Sequence, residues 1–118
     1  MKLKNILVID DDNEDLSTIK SVLQKEKYKV TVAKSGAAAL DILKKGNFDL
    51  ILIDILLPDL SGYDLLRLLR EKLNHKVKMI YISIVPEKEV LMKDIDGFVQ
   101  KPFSPASLVS EVKRLLGG

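Results

Sequence analysis

Three acidic residues, Asp10, Asp11 and Asp12, follow directly after the apolar residues 6–9. Carboxylates crowded in this way repel one another and raise each other's pKa unless a cation lies among them. A hard divalent ion such as Mg²⁺ binds carboxylate oxygens together with water and phosphate oxygens. The pattern predicts a cation site that uses Asp10 and Asp11. The alternative is that the acids begin the next helix, where negative charge is favourable, and Asp12 fits this N-cap interpretation better.

Three further polar residues, Asp54, Ser83 and Lys101, each follow another short apolar run. A carboxylate can attack a phosphorus atom and form an acyl phosphate. Such a transfer depends mainly on positioning and on neutralising charge. Beside a bound cation, Asp54 can act as the nucleophile, Lys101 can neutralise charge, and Ser83 can donate a hydrogen bond to the phosphoryl group. Taken singly, each residue is also consistent with an ordinary polar group at a strand end.

The elements that must position these residues are visible as an alternation of apolar and amphipathic segments. Apolar runs indicate buried strands at residues 6–9, 30–33, 50–53, 79–82 and 97–100. Helical spacing predicts helices over residues 15–25, 36–45, 62–73 and 105–116, with a short helix over about 86–94. Strands that are apolar on both faces and joined by helices predict a parallel, doubly wound α/β sheet in three layers. Ligand sites of such sheets lie at the carboxyl ends of the strands, where the polar residues converge.

Composition excludes several classes of function. The 118 residues suffice for one domain, and the net charge of +2 gives no argument for nucleic-acid or membrane binding. The absence of cysteine excludes disulfides and thiolate chemistry. No apolar run approaches the roughly 20 residues that cross a bilayer, and the N-terminus does not resemble a signal peptide, so a cytoplasmic location is expected. His75, the only histidine, lies in a polar turn where we expect no catalytic role.

The chain resembles the response-regulator receiver family of two-component signalling through one ordered set of motifs: Val8-Ile9-Asp10-Asp11, Asp54 followed by Pro58 and Gly62, Ser83, and Lys101-Pro102-Phe103. The resemblance covers the whole chain. It implies a flavodoxin-like sheet of five parallel strands in the order 2-1-3-4-5. It also implies that residues 1–118 form a single receiver domain, for which we expect no output domain.

The resemblance implies a cofactor, Mg²⁺ or Mn²⁺, held by Asp10, Asp11, Asp54 and the backbone carbonyl of Leu56. It implies that Asp54 is the phosphoacceptor. The protein would support its own phosphorylation and slow dephosphorylation without being an enzyme in its own right.

The remaining roles also come from the resemblance. Lys101 contacts the phosphoryl group, and Ser83 is the switch hydroxyl. Phe98 falls at the aromatic switch position, with ordinary core packing as the alternative interpretation. The Lys101–Pro102 peptide bond is expected to be cis.

Three departures from the family pattern affect these expectations. Ile84 follows Ser83 where a small residue is usual, so phosphorylation by small donors should be slow. Leu56 and Val85 are apolar where polar residues could orient an attacking water, so the phosphorylated form should be long-lived. The segment 86–96 is too short for a full fourth helix, which we expect to be shortened or partly disordered.

The expected function is phosphorylation of Asp54 by a sensor histidine kinase, which changes the affinity for an unknown downstream protein. We expect no direct nucleic-acid contact, no membrane insertion, and a monomer or weak dimer. One alternative is a pseudo-receiver that binds proteins independently of phosphorylation. Another is a phosphatase of the haloacid dehalogenase type, whose Asp-x-Asp-x-Thr/Val motif is broken here by Glu14.

Overall fold

A computed structural model describes residues 2–74 and 76–117, so the expectation for His75 falls outside the described residues. Within these ranges the chain forms five strands: β1 (Asn5–Ile9), β2 (Lys29–Ala33), β3 (Leu50–Ile53), β4 (Lys78–Ser83) and β5 (Gly97–Gln100). The α-helices of the same ranges are α1 (Asn13–Lys25), α2 (Gly36–Leu43), α3 (Gly62–Lys72) and α4 (Pro105–Leu116). Strand and helix bounds differ from the sequence prediction by at most two residues outside the segment between β4 and β5.

The five strands form one parallel sheet in the order β2-β1-β3-β4-β5, which confirms the expected topology. Side chains alternate between the two faces of the sheet. Leu7, Ile9 and Ile51 face one layer, which contains α2 and α3. Ile6 and Val8 face the other, which contains α1 and α4. Both faces are therefore covered, which explains why β3, the strand at the centre of the sheet, contains only apolar residues.

Each helix begins at a residue whose side-chain oxygen accepts a backbone hydrogen bond from the first turn. Asp12 does so for α1, and serines do so for the other three helices: Ser35, Ser61 and Ser104. The N-cap interpretation of Asp12 is thereby confirmed. These caps satisfy N–H groups that have no partner inside the helix, and they fix where each helix leaves the carboxyl edge of the sheet.

The segment between β4 and β5 contains a single 3-10 turn, Glu87–Glu89, which confirms that the fourth helix of the family is shortened here. The bounds of about 86–94 predicted for a short helix are too wide. Val90 is extended and Asp94 has a φ of 64°, so helical backbone does not continue. Contacts with α3 hold this stretch, because the Tyr63 hydroxyl accepts a hydrogen bond from the Leu91 N–H and Arg70 donates to the Asp94 carbonyl. Among the described residues, no helix is both long and apolar enough to cross a membrane.

Candidate functional site

The strand register brings Asp10 and Asp54 to the same edge of the sheet. Ile9 of β1 pairs with Ile53 of β3, so the residues that follow them leave adjacent strands at the same level. Backbone hydrogen bonds continue one step beyond the strands, because the Asp54 N–H donates to the Ile9 carbonyl at 2.9 Å. Both aspartates are buried, which is unusual for carboxylates and demands compensating partners.

Lys101 supplies that compensation. Its ammonium nitrogen lies 2.6 Å from Asp10 Oδ2, 2.8 Å from Asp15 Oδ2 and 3.0 Å from Asp54 Oδ2. Only 8% of the Lys101 side chain is exposed. An ammonium group has three N–H donors, so each can serve one of the three carboxylates. The Lys101 backbone N–H donates to the Ser83 carbonyl at 2.8 Å, which fixes where this side chain starts.

The pKa values of Asp10 and Lys101 reflect this arrangement. Burial raises the pKa of Asp10 from its ordinary 3.8 to about 6, and the nearby Asp54 charge adds to the rise, although hydrogen bonds from Lys101 and the Asp12 N–H oppose it. Burial by itself would lower the pKa of Lys101, but hydrogen bonds to the three carboxylates raise it above its ordinary value. Lys101 is therefore protonated and positively charged at neutral pH, while Asp10 takes up a proton at a higher pH than an exposed aspartate does.

Asp10, Asp11 and Asp54 each place a carboxylate oxygen within 4.8 Å of the others. Asp11 is exposed, so the group opens to water on one side. Three carboxylates share this small volume with one lysine, and the surplus negative charge and all-oxygen donor set fit a hard divalent cation such as Mg²⁺. The Leu56 N–H donates to Asp54 Oδ1 at 3.0 Å, which orients the carboxylate. A metal contact from the Leu56 carbonyl stays a prediction.

Ser83 ends β4 as a buried residue, and its hydroxyl oxygen accepts a hydrogen bond from the Val85 N–H at 3.3 Å. Phe98 lies opposite Tyr81 in the β4–β5 register and packs, half-buried, against the α2–α3 side of the core. The roles of Ser83 and Phe98 in switching stay predictions. The Lys101–Pro102 peptide bond is cis, as expected.

Two of the apolar residues noted as departures line up beside the site with their side chains in solvent. Ile84 is 64% exposed and Leu56 is 51% exposed. Val85 is half-buried against the core. Ile84 and Leu56 therefore contribute little to packing, and the consequences predicted for phosphorylation rate and lifetime can be tested without unfolding the protein.

The loop that follows Asp54 is tied to two helices. The Gly62 N–H donates to the Ile55 carbonyl at 2.7 Å. Asp59 accepts hydrogen bonds from the Gly36 and Ala37 N–H groups at the start of α2, at 3.0 and 2.9 Å. These hydrogen bonds lower the pKa of Asp59. The loop that carries Asp54 is thus held at both ends.

Asp15 is the residue of this site that the sequence analysis did not identify. It stands in the first turn of α1, where acidic residues are common for reasons of helix capping and dipole alone. The sequence analysis considered residues at strand ends, and Asp15 lies on α1, so its contact with Lys101 was not predicted. The available signal was its nearness in sequence to Asp10 and Asp11.

Comparisons with known proteins agree with this geometry. The family model described as "Response regulator receiver domain" matches residues 6–113. The response regulator SaeR of Staphylococcus aureus is 30% identical over 119 residues, an alignment that covers 97% of this chain and 51% of SaeR. The chain thus spans about half the length of this relative, and the expectation that it lacks an output domain stays a prediction.

Solved structures extend the comparison to the fold. The response regulator TrrA of Thermotoga maritima, in complex with Mg²⁺ and BeF, has a TM-score of 0.87 and 31% identity, covering 96% of this chain and 99% of that one. A CheY-like receiver domain from Methanospirillum hungatei has a TM-score of 0.89 and 31% identity, and the match covers 98% of this chain and 94% of that one. The family model extends from β1 into α4 and includes the acid–lysine cluster, and from this match we conclude that the chain belongs to the response regulator receiver domain family of two-component systems.

Proposed function

We propose that Asp54 accepts a phosphoryl group from a sensor histidine kinase in a Mg²⁺-dependent reaction, and that the modified protein changes its affinity for a downstream protein. Mn²⁺ can replace Mg²⁺, since it prefers the same oxygen ligands. The observation that carries the proposal is the position of the Asp54 carboxylate, 3.0 Å from the Lys101 ammonium and in one cluster with Asp10 and Asp11.

The proposed step is a displacement at phosphorus. A carboxylate oxygen of Asp54 forms a bond to the phosphorus atom while the bond from phosphorus to the donor's histidine nitrogen breaks. The leaving nitrogen keeps the electron pair, and a proton on the other ring nitrogen of the phosphohistidine makes the leaving group neutral imidazole. A bound divalent cation would neutralise charge on the phosphoryl oxygens. The Lys101 ammonium provides a second positive charge at the same place, and the burial of Lys101 strengthens its effect.

The Mg²⁺ and BeF present in the TrrA complex support the proposal, because that protein shares 31% identity and the same fold. The proposed partners are a histidine kinase and an unknown downstream protein, with no direct contact to nucleic acid or membrane. We propose a cytoplasmic monomer or weak dimer that is a phosphoacceptor rather than an enzyme acting on a separate substrate.

The test is intact-mass spectrometry after incubation with acetyl phosphate and Mg²⁺. Wild-type protein should gain one phosphoryl group, whereas Asp54→Ala should gain none and EDTA should abolish the adduct. Asp41→Ala, which removes an exposed aspartate of α2, is the matched control and should react like wild type. Absence of an adduct, together with an NMR spectrum unchanged by beryllofluoride, would overturn the proposal in favour of a phosphorylation-independent binding module.

A further inference from the structure

Asp15 contacts Lys101 but lies outside the group of carboxylates that can share a cation. Its Oδ2 is 2.8 Å from the Lys101 ammonium, and a third of its side chain is exposed. The cation cluster consists of Asp10, Asp11 and Asp54. Two of those three, Asp10 and Asp54, are the other hydrogen-bond acceptors of Lys101. A cation and Lys101 therefore compete for the same two carboxylates, and Asp15 is the acceptor outside that competition.

We propose that Asp15 is a positioning residue. It remains hydrogen-bonded to the Lys101 ammonium when a cation binds Asp10 and Asp54, and it thereby strengthens Mg²⁺ binding. This inference rests on the proposed function, because it concerns the same cation site.

The direction of the effect follows from charge. With Asp15 present, the single positive charge of Lys101 is shared among three carboxylates. Without Asp15, that charge falls on Asp10 and Asp54 alone, and a cation must displace a more tightly bound lysine. The loss of one negative charge near the site also weakens its attraction for Mg²⁺. Both effects have the same sign, so neutralising Asp15 lowers Mg²⁺ affinity.

A purely structural role for Asp15 predicts a different result. An acidic residue in the first turn of a helix stabilises that helix through the helix dipole alone. Glu14 occupies the same turn, is exposed, and carries the same charge. Glu14→Gln therefore reproduces the change in helix-end charge and the change in net charge without removing the contact with Lys101.

The experiment measures Mg²⁺ affinity by ¹H–¹⁵N NMR titration of wild type, Asp15→Asn and Glu14→Gln. Asp15→Asn should bind Mg²⁺ about fivefold more weakly, the size of effect expected for a partly exposed ion pair. Glu14→Gln should stay within about twofold of wild type, since an exposed charge without a direct contact is well screened. The amide spectra also report whether each variant is folded.

A double-mutant cycle isolates the lysine contact. In a Lys101→Gln background, Asp15→Asn should lower Mg²⁺ affinity no more than Glu14→Gln does. Equal Mg²⁺ affinity in wild type and Asp15→Asn, or equal losses in Asp15→Asn and Glu14→Gln, would overturn the inference and leave the proposed function intact. If Mg²⁺ shifts no amide signal of the wild-type protein, the proposed cation site and the inference both fail.

Discussion

Gly62 lies directly against the backbone of Asp54. A Cβ atom at position 62 would stand 2.5 Å from the Asp54 carbonyl oxygen, closer than real Cβ atoms approach an oxygen. The atom it would meet belongs to the backbone, so the conflict cannot be relieved by a side-chain rotation. The start of α3 and the end of β3 can therefore pack together only when residue 62 has no side chain.

Gly62→Ala should destabilise the protein by about 2 kcal/mol, because an added methyl group must push the loop backbone aside. Displacement of the Asp54 carbonyl should also slow phosphorylation by acetyl phosphate. Urea denaturation and intact-mass time courses measure the two effects. Gly46→Ala is the control, since a Cβ there meets its nearest side-chain atom, on Phe48, at 3.8 Å, an ordinary contact. Similar stabilities for the two alanine variants would contradict the argument.

Most of the site could be predicted because parallel strands place their carboxyl ends at one edge. Asp10 and Asp54 follow β1 and β3, which pair directly. Lys101 follows β5, which lies two positions from β3 in the sheet. The alternation of apolar and amphipathic segments was enough to locate those strand ends. An alternation of apolar and polar residues along the strands gives no further information here, because the central strands are buried on both faces.

The sequence was less informative where long side chains reach across elements. Asp15 reaches Lys101 from α1, and Arg70 of α3 donates hydrogen bonds to the Asp94 carbonyl and the Asp96 carboxylate. A third hydrogen bond joins Arg70 to the Val77 carbonyl before β4. None of these contacts follows from local periodicity. The Arg70 contacts help to explain why the chain between β4 and β5 forms no helix beyond the 3-10 turn.

Magnesium affinity should fall as the pH falls through about 6. The raised pKa of Asp10 means that below this pH the metal-free protein carries a proton on that carboxylate, and a cation must displace it. Binding at pH 5 should be about tenfold weaker than at pH 7, because one proton leaves for each ion bound. An aspartate with an ordinary pKa would show almost no change over this range.

The pH effect can be measured by NMR titration with Mg²⁺ at pH 5, 6 and 7. Asp10→Asn removes the titrating group, so it should bind Mg²⁺ more weakly than wild type but lose most of the pH dependence. A wild-type affinity that stays constant between pH 5 and 7 would show that Asp10 is already ionised throughout this range.

Ile84→Ala should be phosphorylated faster than wild type by acetyl phosphate. Ile84 directly follows Ser83, and its side chain is 64% exposed, so it is available to obstruct the approach to the site but contributes little to packing. An increase of roughly fivefold corresponds to about 1 kcal/mol of activation free energy. The rate is followed by intact mass at saturating Mg²⁺.

Leu91→Ala is the matched control for Ile84→Ala, because Leu91 has nearly the same exposure, 63%, in the same connecting segment but does not adjoin Ser83. It should react at the wild-type rate. Equal phosphorylation rates for Ile84→Ala and wild type would show that the Ile84 side chain does not obstruct the approach of the donor.

Gln100 fixes the loop that follows Ser83. Its side-chain amide donates to the carbonyls of Ser83 and Val85 at 3.1 and 3.2 Å, and its oxygen accepts from the Glu87 N–H at 3.0 Å. Gln100→Val keeps a good strand former in β5 but removes these three hydrogen bonds, together with the one from the Gln100 amide to the Lys101 carbonyl. We expect amide hydrogen exchange over residues 84–90 to accelerate, because local opening of the loop becomes easier. Gln24→Val, at an exposed position of α1, should leave exchange in that loop unchanged. If loop exchange is equally slow in Gln100→Val and wild type, the loop is held by its contacts with α3, and the Gln100 hydrogen bonds do not restrain it.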